Sequence, residues 1–145
     1  MQKVTEEQLI SIAKTCPHVA LFEGERMEIT EGGIQQLAKL WPQLKQLWMG
    51  DSPLITDKEI ISIGTQFTNL KELSFNQHQT FTQSSLTALL DQAANLENLC
   101  IYQTSFKSKE LSSKQFPRII KANFIVCMVH IELTPKKKDE AKSRD

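Results

Sequence analysis

The chain repeats one pattern at a nearly constant spacing, and this repeat constrains the fold more than any other feature of the sequence. Four pairs of an apolar residue and a threonine lie 25, 26 and 26 residues apart: Val4-Thr5, Ile29-Thr30, Ile55-Thr56 and Phe81-Thr82. Periods of roughly 20 to 50 residues are typical of chains in which each unit shares its core with its neighbours. We therefore expect a stack of similar units.

Each unit predicts a helix followed by a short strand. After each threonine, apolar residues recur at the spacing of one helix face, as in Leu86, Leu89 and Leu90. The threonine hydroxyl is a suitable N-cap. Each helix ends at a corner such as Cys16-Pro17 or Trp41-Pro42, and a segment with strand alternation follows. Because one helix and one strand cannot bury both apolar faces alone, the units are expected to share a core.

The predicted domain covers 1–133, and a charged tail follows it. The units are expected near 4–28, 29–54, 55–80 and 81–105, with a degenerate fifth copy at 106–124 and a terminal strand at 125–133. The fifth copy depends on Phe106 to Leu111 as a helix start and on Phe116-Pro117 as a corner. The segment 134–145 has no apolar periodicity and is predicted to be disordered.

The repeat resembles leucine-rich repeats, in particular the cysteine-containing subtype of F-box-associated repeat proteins. That subtype reads roughly Ile-Thr-Asp-x-x-Leu-x-x-Leu-Ala-x-x-Cys-Pro-x-Leu-x-x-Leu-x-Leu, and 4–24, 29–49 and 55–75 follow it. The resemblance implies an α/β leucine-rich-repeat solenoid of about four to five repeats, a curved right-handed stack with short parallel strands on the concave face and helices on the convex face. We expect no F-box ahead of the first unit, so a ubiquitin-ligase role would need that module from another chain.

The family often has cysteine or asparagine three residues after each strand, where the side chains form a hydrogen-bonded ladder. Met27, Ser52, His78 and Thr104 hold that position here, so this ladder is expected to be altered. His78 is accordingly expected to make a hydrogen bond within its turn.

The resemblance also implies that a protein partner binds on the concave face. Strand alternation predicts which side chains face outward there. The candidate partner-binding residues are Glu23, Gln46, Trp48, Glu72, Ser74, Asn76, Asn98, Cys100 and Tyr102. Leu21, Lys121 and Asn123 are expected on the same face. Trp48 and Tyr102 are the main candidates, because aromatic side chains among polar ones are typical of interface hot spots. Alternatively, Trp48 packs onto its neighbours without a partner, whereas Trp41 is expected in the core.

Spacing gives little support to a catalytic or metal site. Cys100 and His78 come from neighbouring units, but no motif places an acid that would orient the histidine. No cysteine or histidine pair has the short separation of structural zinc ligands. Gly32-Gly33 lacks the glycine spacing and the lysine of a phosphate-binding loop. The sequence thus predicts a protein that is not an enzyme and has no cofactor and no metal.

Composition gives no electrostatic reason to expect nucleic acid or a membrane as partner. Lysine plus arginine and aspartate plus glutamate both number 17, for a formal net charge of +0. Three cysteines without a Cys-x-x-Cys pair favour reduced thiols and hence the cytoplasm. No segment approaches the roughly 18 apolar residues of a membrane helix, and no classical signal peptide is recognisable. The alternative localisation is that of a secreted effector in a host cytosol.

Three functional hypotheses remain open at this point. The first is a non-catalytic protein-protein interaction module with an adaptor or substrate-recognition role, which includes a bacterial effector acting in a host cell. The second is an enzyme or enzyme regulator, namely a cysteine hydrolase using Cys100 or a GTPase activator using Arg26. The third is a structural subunit that assembles, or self-associates, through uncapped ends such as an open edge near Val19 to Gly24.

Overall fold

Each repeated threonine lies at the start of a helix, as the sequence predicts. The computed structural model describes residues 4–78, 80–125 and 127–136. Within them the α-helices are α1 (Glu6–Thr15), α2 (Glu31–Leu40), α3 (Asp57–Gln66) and α4 (Gln83–Gln92), and a short 3-10 helix spans Ser108–Leu111. Thr5 Oγ1 accepts a hydrogen bond from Gln8 N at 3.2 Å, and Thr30 Oγ1 accepts one from Gly33 N at 3.2 Å. These bonds satisfy backbone donors that the first helical turn leaves unpaired.

The strands of the described residues form one mixed sheet. They are β1 (Leu21–Gly24), β2 (Gln46–Met49), β3 (Glu72–Asn76), β4 (Asn98–Tyr102), β5 (Ile119–Ile125) and β6 (Met128–Leu133). The order across the sheet is β1-β2-β3-β4-β6-β5. The first four strands are parallel. In contrast, β6 runs antiparallel to β4, and β5 runs antiparallel to β6.

The prediction of a leucine-rich-repeat solenoid is wrong. An all-parallel stack would place the fifth strand beside β4, but β6 occupies that edge and runs in the opposite direction. The chain is instead a small α/β domain with a mixed sheet and, in its described part, four α-helices. The physical reason is the short connection between Ile125 and Met128, which pair at the end of the β5–β6 hairpin. Two residues can join antiparallel strands, whereas a parallel crossover needs a dozen or more.

The core lies between the helices and one face of the sheet. Buried helix residues pack with alternate residues of the strands in one continuous cluster, which includes Leu9, Ile34, Ile60, Leu86, Leu47, Leu73, Leu99, Val129 and Ile131. Trp41 is fully buried, as expected, with its Nε1 donating to the Cys16 carbonyl at 2.8 Å and its ring centroid 5.1 Å from that of Phe22. The opposite face of the sheet is therefore not covered by the helices.

Side chains after the strands replace the expected ladder with other hydrogen bonds. Ser52 Oγ accepts from Met27 N at 3.0 Å, and Thr104 Oγ1 donates to Gln77 Oε1 at 2.9 Å. His78 Nδ1 lies 3.1 Å from Thr80 Oγ1, which is the turn hydrogen bond expected for this histidine. The role of His78 that these contacts support is therefore local and structural.

Arg118 fastens the carboxyl-terminal part of the domain to α4. Its guanidinium donates hydrogen bonds to five backbone carbonyls, those of Leu90, Ala93, Ala94, Leu96 and Thr134. Lys136 N also donates to the Ala94 carbonyl at 2.9 Å. The first residues of the predicted tail are thus hydrogen-bonded to the domain, and 137–145 lie outside the described residues.

Candidate binding surface on the open face of the sheet

The face of the sheet opposite the helices, here called the open face, carries its side chains in rows that cross the strands. The strand register sets these rows. The middle row is Glu23, Trp48, Ser74, Cys100, His130 and Asn123. The row on one side of it is Leu21, Gln46, Glu72, Asn98, Glu132 and Lys121, and the row on the other side contains Asn76, Tyr102, Met128 and Ile125.

A groove of about 500 Å³ crosses the open face from β1 to β6. It is lined by Glu23, Glu25, Trp48, Met49, Gly50, Glu72, Leu73, Ser74, Asn76, Asn98, Cys100, Tyr102 and His130. Four gaps of about 4.8 Å separate β1 from β6, so the groove is about 19 Å long. About six residues of an extended peptide would span it, at roughly 3.3 Å per residue.

Eight of the nine candidate partner-binding residues line this groove, and the exception is Gln46. Gln46 lies on the open face beside Glu72, outside the groove. Lys121 and Asn123 were expected on a strand next to β4. They lie one strand further out, on β5, because β6 separates the two strands.

His130 is a groove residue that the repeat pattern of the sequence does not predict. It lies directly opposite Cys100 in the β4–β6 pair, and its Nε2 is 2.9 Å from Asn98 Oδ1. Since an amide oxygen only accepts hydrogen bonds, this contact is a hydrogen bond in the tautomer that has its proton on Nε2. A signal for this position exists in the sequence, because the buried alternation of Val129 and Ile131 directs His130 to the other face.

Two aromatic side chains of the groove remain accessible. Trp48 is 37% exposed and Tyr102 is 44% exposed, whereas Leu47 and Met49, which flank Trp48 along β2, are 2% exposed each. Aromatic side chains with this much accessible surface bury a large apolar area when a partner covers them. The groove thus contains both aromatic side chains that strand alternation predicts for the open face.

Charge is distributed unevenly along the groove. The carboxylates of Glu23, Glu25 and Glu72 all lie at its β1–β3 end. Of the lining residues, all of which belong to the described part of the chain, none is lysine or arginine. Since the whole chain has a formal net charge of +0, the negative charge here reflects local segregation. The absence of a Cβ at Gly50 leaves room for the Glu25 side chain to fold against it.

The surroundings of Cys100 work against a reactive thiolate. Burial raises the pKa of this thiol, a hydrogen bond with the Ser74 side chain lowers it, and the charge of Glu72 raises it, so that the net direction is upward. A thiol with a raised pKa is protonated at neutral pH and is a weak nucleophile. Within the described residues, no three histidine, cysteine, aspartate or glutamate side chains form a cluster that could hold a metal ion.

No protein-family model matches this chain, and no curated protein sequence matches it. Membership of the cysteine-containing leucine-rich-repeat subtype, which the resemblance suggests, therefore stays a prediction from the sequence. Among the helices that the structure describes, none combines the length and the apolar character needed to cross a membrane. The geometry of the groove is thus the basis for a functional proposal.

Proposed function

We propose that this chain is a non-catalytic protein-interaction module that recognises a partner protein through the groove on its open face. The observation that carries the proposal is the pair of accessible aromatic residues, Trp48 and Tyr102, in a groove lined otherwise mainly by polar side chains. Interface hot spots are enriched in tryptophan and tyrosine at positions surrounded by polar contacts. In this proposal the chain has an adaptor or substrate-recognition role in a larger assembly, and it acts in the cytoplasm.

The two faces of the sheet differ in burial, and this difference supports the proposal. One face packs against the helices and is buried, so its residues contribute stability. Residues of the other face make few such contacts, and substitutions there are expected to change the free energy of unfolding little. Binding and folding can therefore be separated by mutation.

The test is a pulldown from native cells with the double variant Trp48→Ala and Tyr102→Ala. We expect the principal partner to be lost while the circular dichroism spectrum and the unfolding midpoint change little. A matched control replaces two exposed apolar residues outside the groove, Ile12→Ala and Leu54→Ala. Retention of every partner by the groove variant, or equal loss with the control variant, would show that the groove is not the binding surface.

A second candidate function is a subunit that self-associates through the outer edge of β5. In the described part of the chain, no strand pairs with that edge, and Ile120 and Phe124 are 63% and 37% exposed. Unpaired apolar edges favour strand pairing between chains. At the other edge of the sheet, Val4 forms a bridge with Met27 just beyond the end of β1. Sedimentation velocity of the wild type and of Phe124→Lys tests this candidate: a concentration-dependent dimer that the variant loses would support it, and a strict monomer would exclude it.

A further inference from the structure

We infer that the partner segment recognised by the groove carries lysine or arginine at one end and an apolar side chain about four residues away. This inference depends on the proposed function and names the chemistry of its partner. It follows from two properties of the open face that lie at opposite ends of the groove.

The first property is the acidic end. Glu23, Glu25 and Glu72 lie on or just after β1 and on β3, and the lining residues that the structure describes provide no cation to balance them. A cationic side chain bound there would face carboxylates from two strands, which gives electrostatic complementarity. Trp48 lies between these strands, and its ring face favours a lysine or arginine placed over it. An acidic ligand such as a nucleic acid would be repelled at this end.

The second property is the apolar end. Tyr102 lies beside Met128 in the strand register, and Met128 lies beside Ile125, so that one row continues from the groove to the edge of the sheet. Tyr102 and Ile125 are both largely accessible in the described structure. Covering this row with an aliphatic or aromatic side chain would remove apolar surface from water. The open face thus carries carboxylates near β1 and an apolar row that starts at Tyr102 in the groove and continues to the sheet edge.

The spacing of the ligand follows from the sheet. Three gaps of about 4.8 Å separate β1, which carries Glu23, from β4, which carries Tyr102, so these two residues lie about 14 Å apart across the strands. An extended chain rises about 3.3 Å per residue, and about four residues cover this distance. A folded cationic surface with no apolar group at this distance would use only half of the groove.

The experiment measures fluorescence anisotropy with synthetic peptides and the full chain. The probe is acetyl-Lys-Arg-Ser-Gly-Ser-Leu-Phe-Gly-Cys-amide with a fluorophore on the thiol of its terminal cysteine, so that both cationic side chains stay charged. Comparison peptides with the same label replace arginine by glutamate, or replace Leu-Phe by Ser-Ser. We expect saturable binding of the probe and binding weaker by about tenfold for either comparison peptide. The change from arginine to glutamate replaces an attraction by a repulsion, and the Ser-Ser peptide lacks two apolar side chains. Raising the salt from about 0.05 M to about 0.5 M should weaken the probe further, because exposed charges are screened.

Protein variants assign the effect to the groove. The double variant Glu23→Gln and Glu72→Gln should bind the probe about tenfold more weakly. The control, Glu7→Gln with Glu97→Gln, removes the same charge outside the groove and should bind like the wild type. Unchanged binding by the groove variant would overturn the inference, because the groove carboxylates would then contribute nothing to binding. Equal weakening by the control variant would overturn it as well, because net charge alone would then explain the attraction.

The outcomes separate this inference from the proposed function. If the glutamate peptide binds as well as the probe, or if the Ser-Ser peptide does, the inferred partner chemistry is wrong. Should the native partner nevertheless be lost with the Trp48 and Tyr102 variant in the pulldown, the groove remains a protein-binding surface for a different kind of segment. Failure of both measurements would remove the groove from consideration altogether.

Discussion

Cys100 and His130 lie directly opposite each other in the antiparallel pair of β4 and β6, and both line the groove. A thiol beside an imidazole is the arrangement used by cysteine nucleophiles. Here, however, burial and the charge of Glu72 raise the pKa of the thiol more than its hydrogen bond with Ser74 lowers it. The strand pairing therefore places the thiol of Cys100 beside the imidazole of His130, but the surroundings keep the thiol protonated.

The first prediction concerns the reactivity of Cys100. At pH 7.5 it should react with iodoacetamide more slowly than Cys16 and Cys127, which are exposed. Because its pKa is raised above the ordinary 9.0, its rate should keep increasing with pH beyond that value. Glu72→Gln removes a charge that raises the pKa and should speed the reaction, whereas Ser74→Ala removes a hydrogen bond that lowers it and should slow the reaction. Peptide mass spectrometry resolves the three sites.

Faster labelling of Cys100 than of the two exposed cysteines at neutral pH would contradict this prediction. It would indicate a thiolate and would restore the cysteine hydrolase hypothesis. A control is the total labelling in denaturant, where the three thiols should react at similar rates.

The second prediction contrasts two adjacent glycines at the start of α2. A Cβ on Gly33 would overlap the carboxylate of Glu6, whose Oε1 accepts hydrogen bonds from Thr30 N at 2.8 Å and from Thr30 Oγ1 at 2.7 Å. Gly33→Ala should displace Glu6 and lower the free energy of unfolding by about 1 kcal/mol. A Cβ on Gly32 would meet Thr30 Oγ1 at an ordinary contact distance of 3.8 Å, so Gly32→Ala should raise the free energy of unfolding by about 0.5 kcal/mol.

Urea denaturation of the two alanine variants checks this contrast. The triple comparison with Glu6→Ala adds a direct control, since Gly33→Ala should cost little once the carboxylate is gone. Equal effects of the two glycine substitutions would mean that the Glu6 contact does not stabilise the fold.

The third prediction concerns the Arg118 guanidinium and the carbonyls around the end of α4. Arg118→Ala leaves those acceptors without their charged donor and should lower the free energy of unfolding by about 2 kcal/mol. Arg118→Lys should recover only part of this loss, because an ammonium group cannot reproduce the planar fork of donors. Lys114→Ala, at an exposed position in the same segment, serves as the control. A change within about 0.5 kcal/mol for Arg118→Ala would show that these hydrogen bonds are dispensable.

The fourth prediction separates the two tryptophans. Trp41→Phe removes a buried indole that donates to the Cys16 carbonyl, and it should lower the free energy of unfolding by about 2 kcal/mol. Trp48→Phe should change it by less than about 0.5 kcal/mol, because this side chain lies on the open face. Each variant leaves one tryptophan as a fluorescence probe, and Trp41 is expected to emit at the shorter wavelength. The reverse order of stability effects would contradict the assignment of the two faces.

Much of the local structure could be predicted from the sequence because it depends on neighbouring residues. Helix starts follow from the capping threonines, and the two faces of β2, β3 and β4 follow from alternation, as for Leu47 and Trp48. The groove residues on these strands were accessible to the same reasoning. The parallel strands β1 to β4 belong to repeats of one unit. The alternation recognised in one of these strands therefore predicts the two faces of the next strand.

The sheet beyond β4 could not be predicted in this way, because it depends on pairing between distant residues. Ile125 to Leu133 is an apolar run of strand composition, and such a run does not by itself reveal a turn or a direction. A further repeat would place Lys121 and Asn123 on a strand beside β4. The hairpin instead brings His130 next to Cys100 and Glu132 next to Asn98, and this changes the chemistry of one end of the groove.

The antiparallel strand β6 also has a consequence for how such a chain can change in length. It occupies the side of β4 to which another helix-strand unit would have to be added, so duplication of a unit at that side would require the hairpin to be displaced. Units inserted ahead of β4 would meet no such obstacle. The hairpin thus prevents the addition of further helix-strand units next to β4. A protein engineer who wished to widen the groove would add new units on the amino-terminal side.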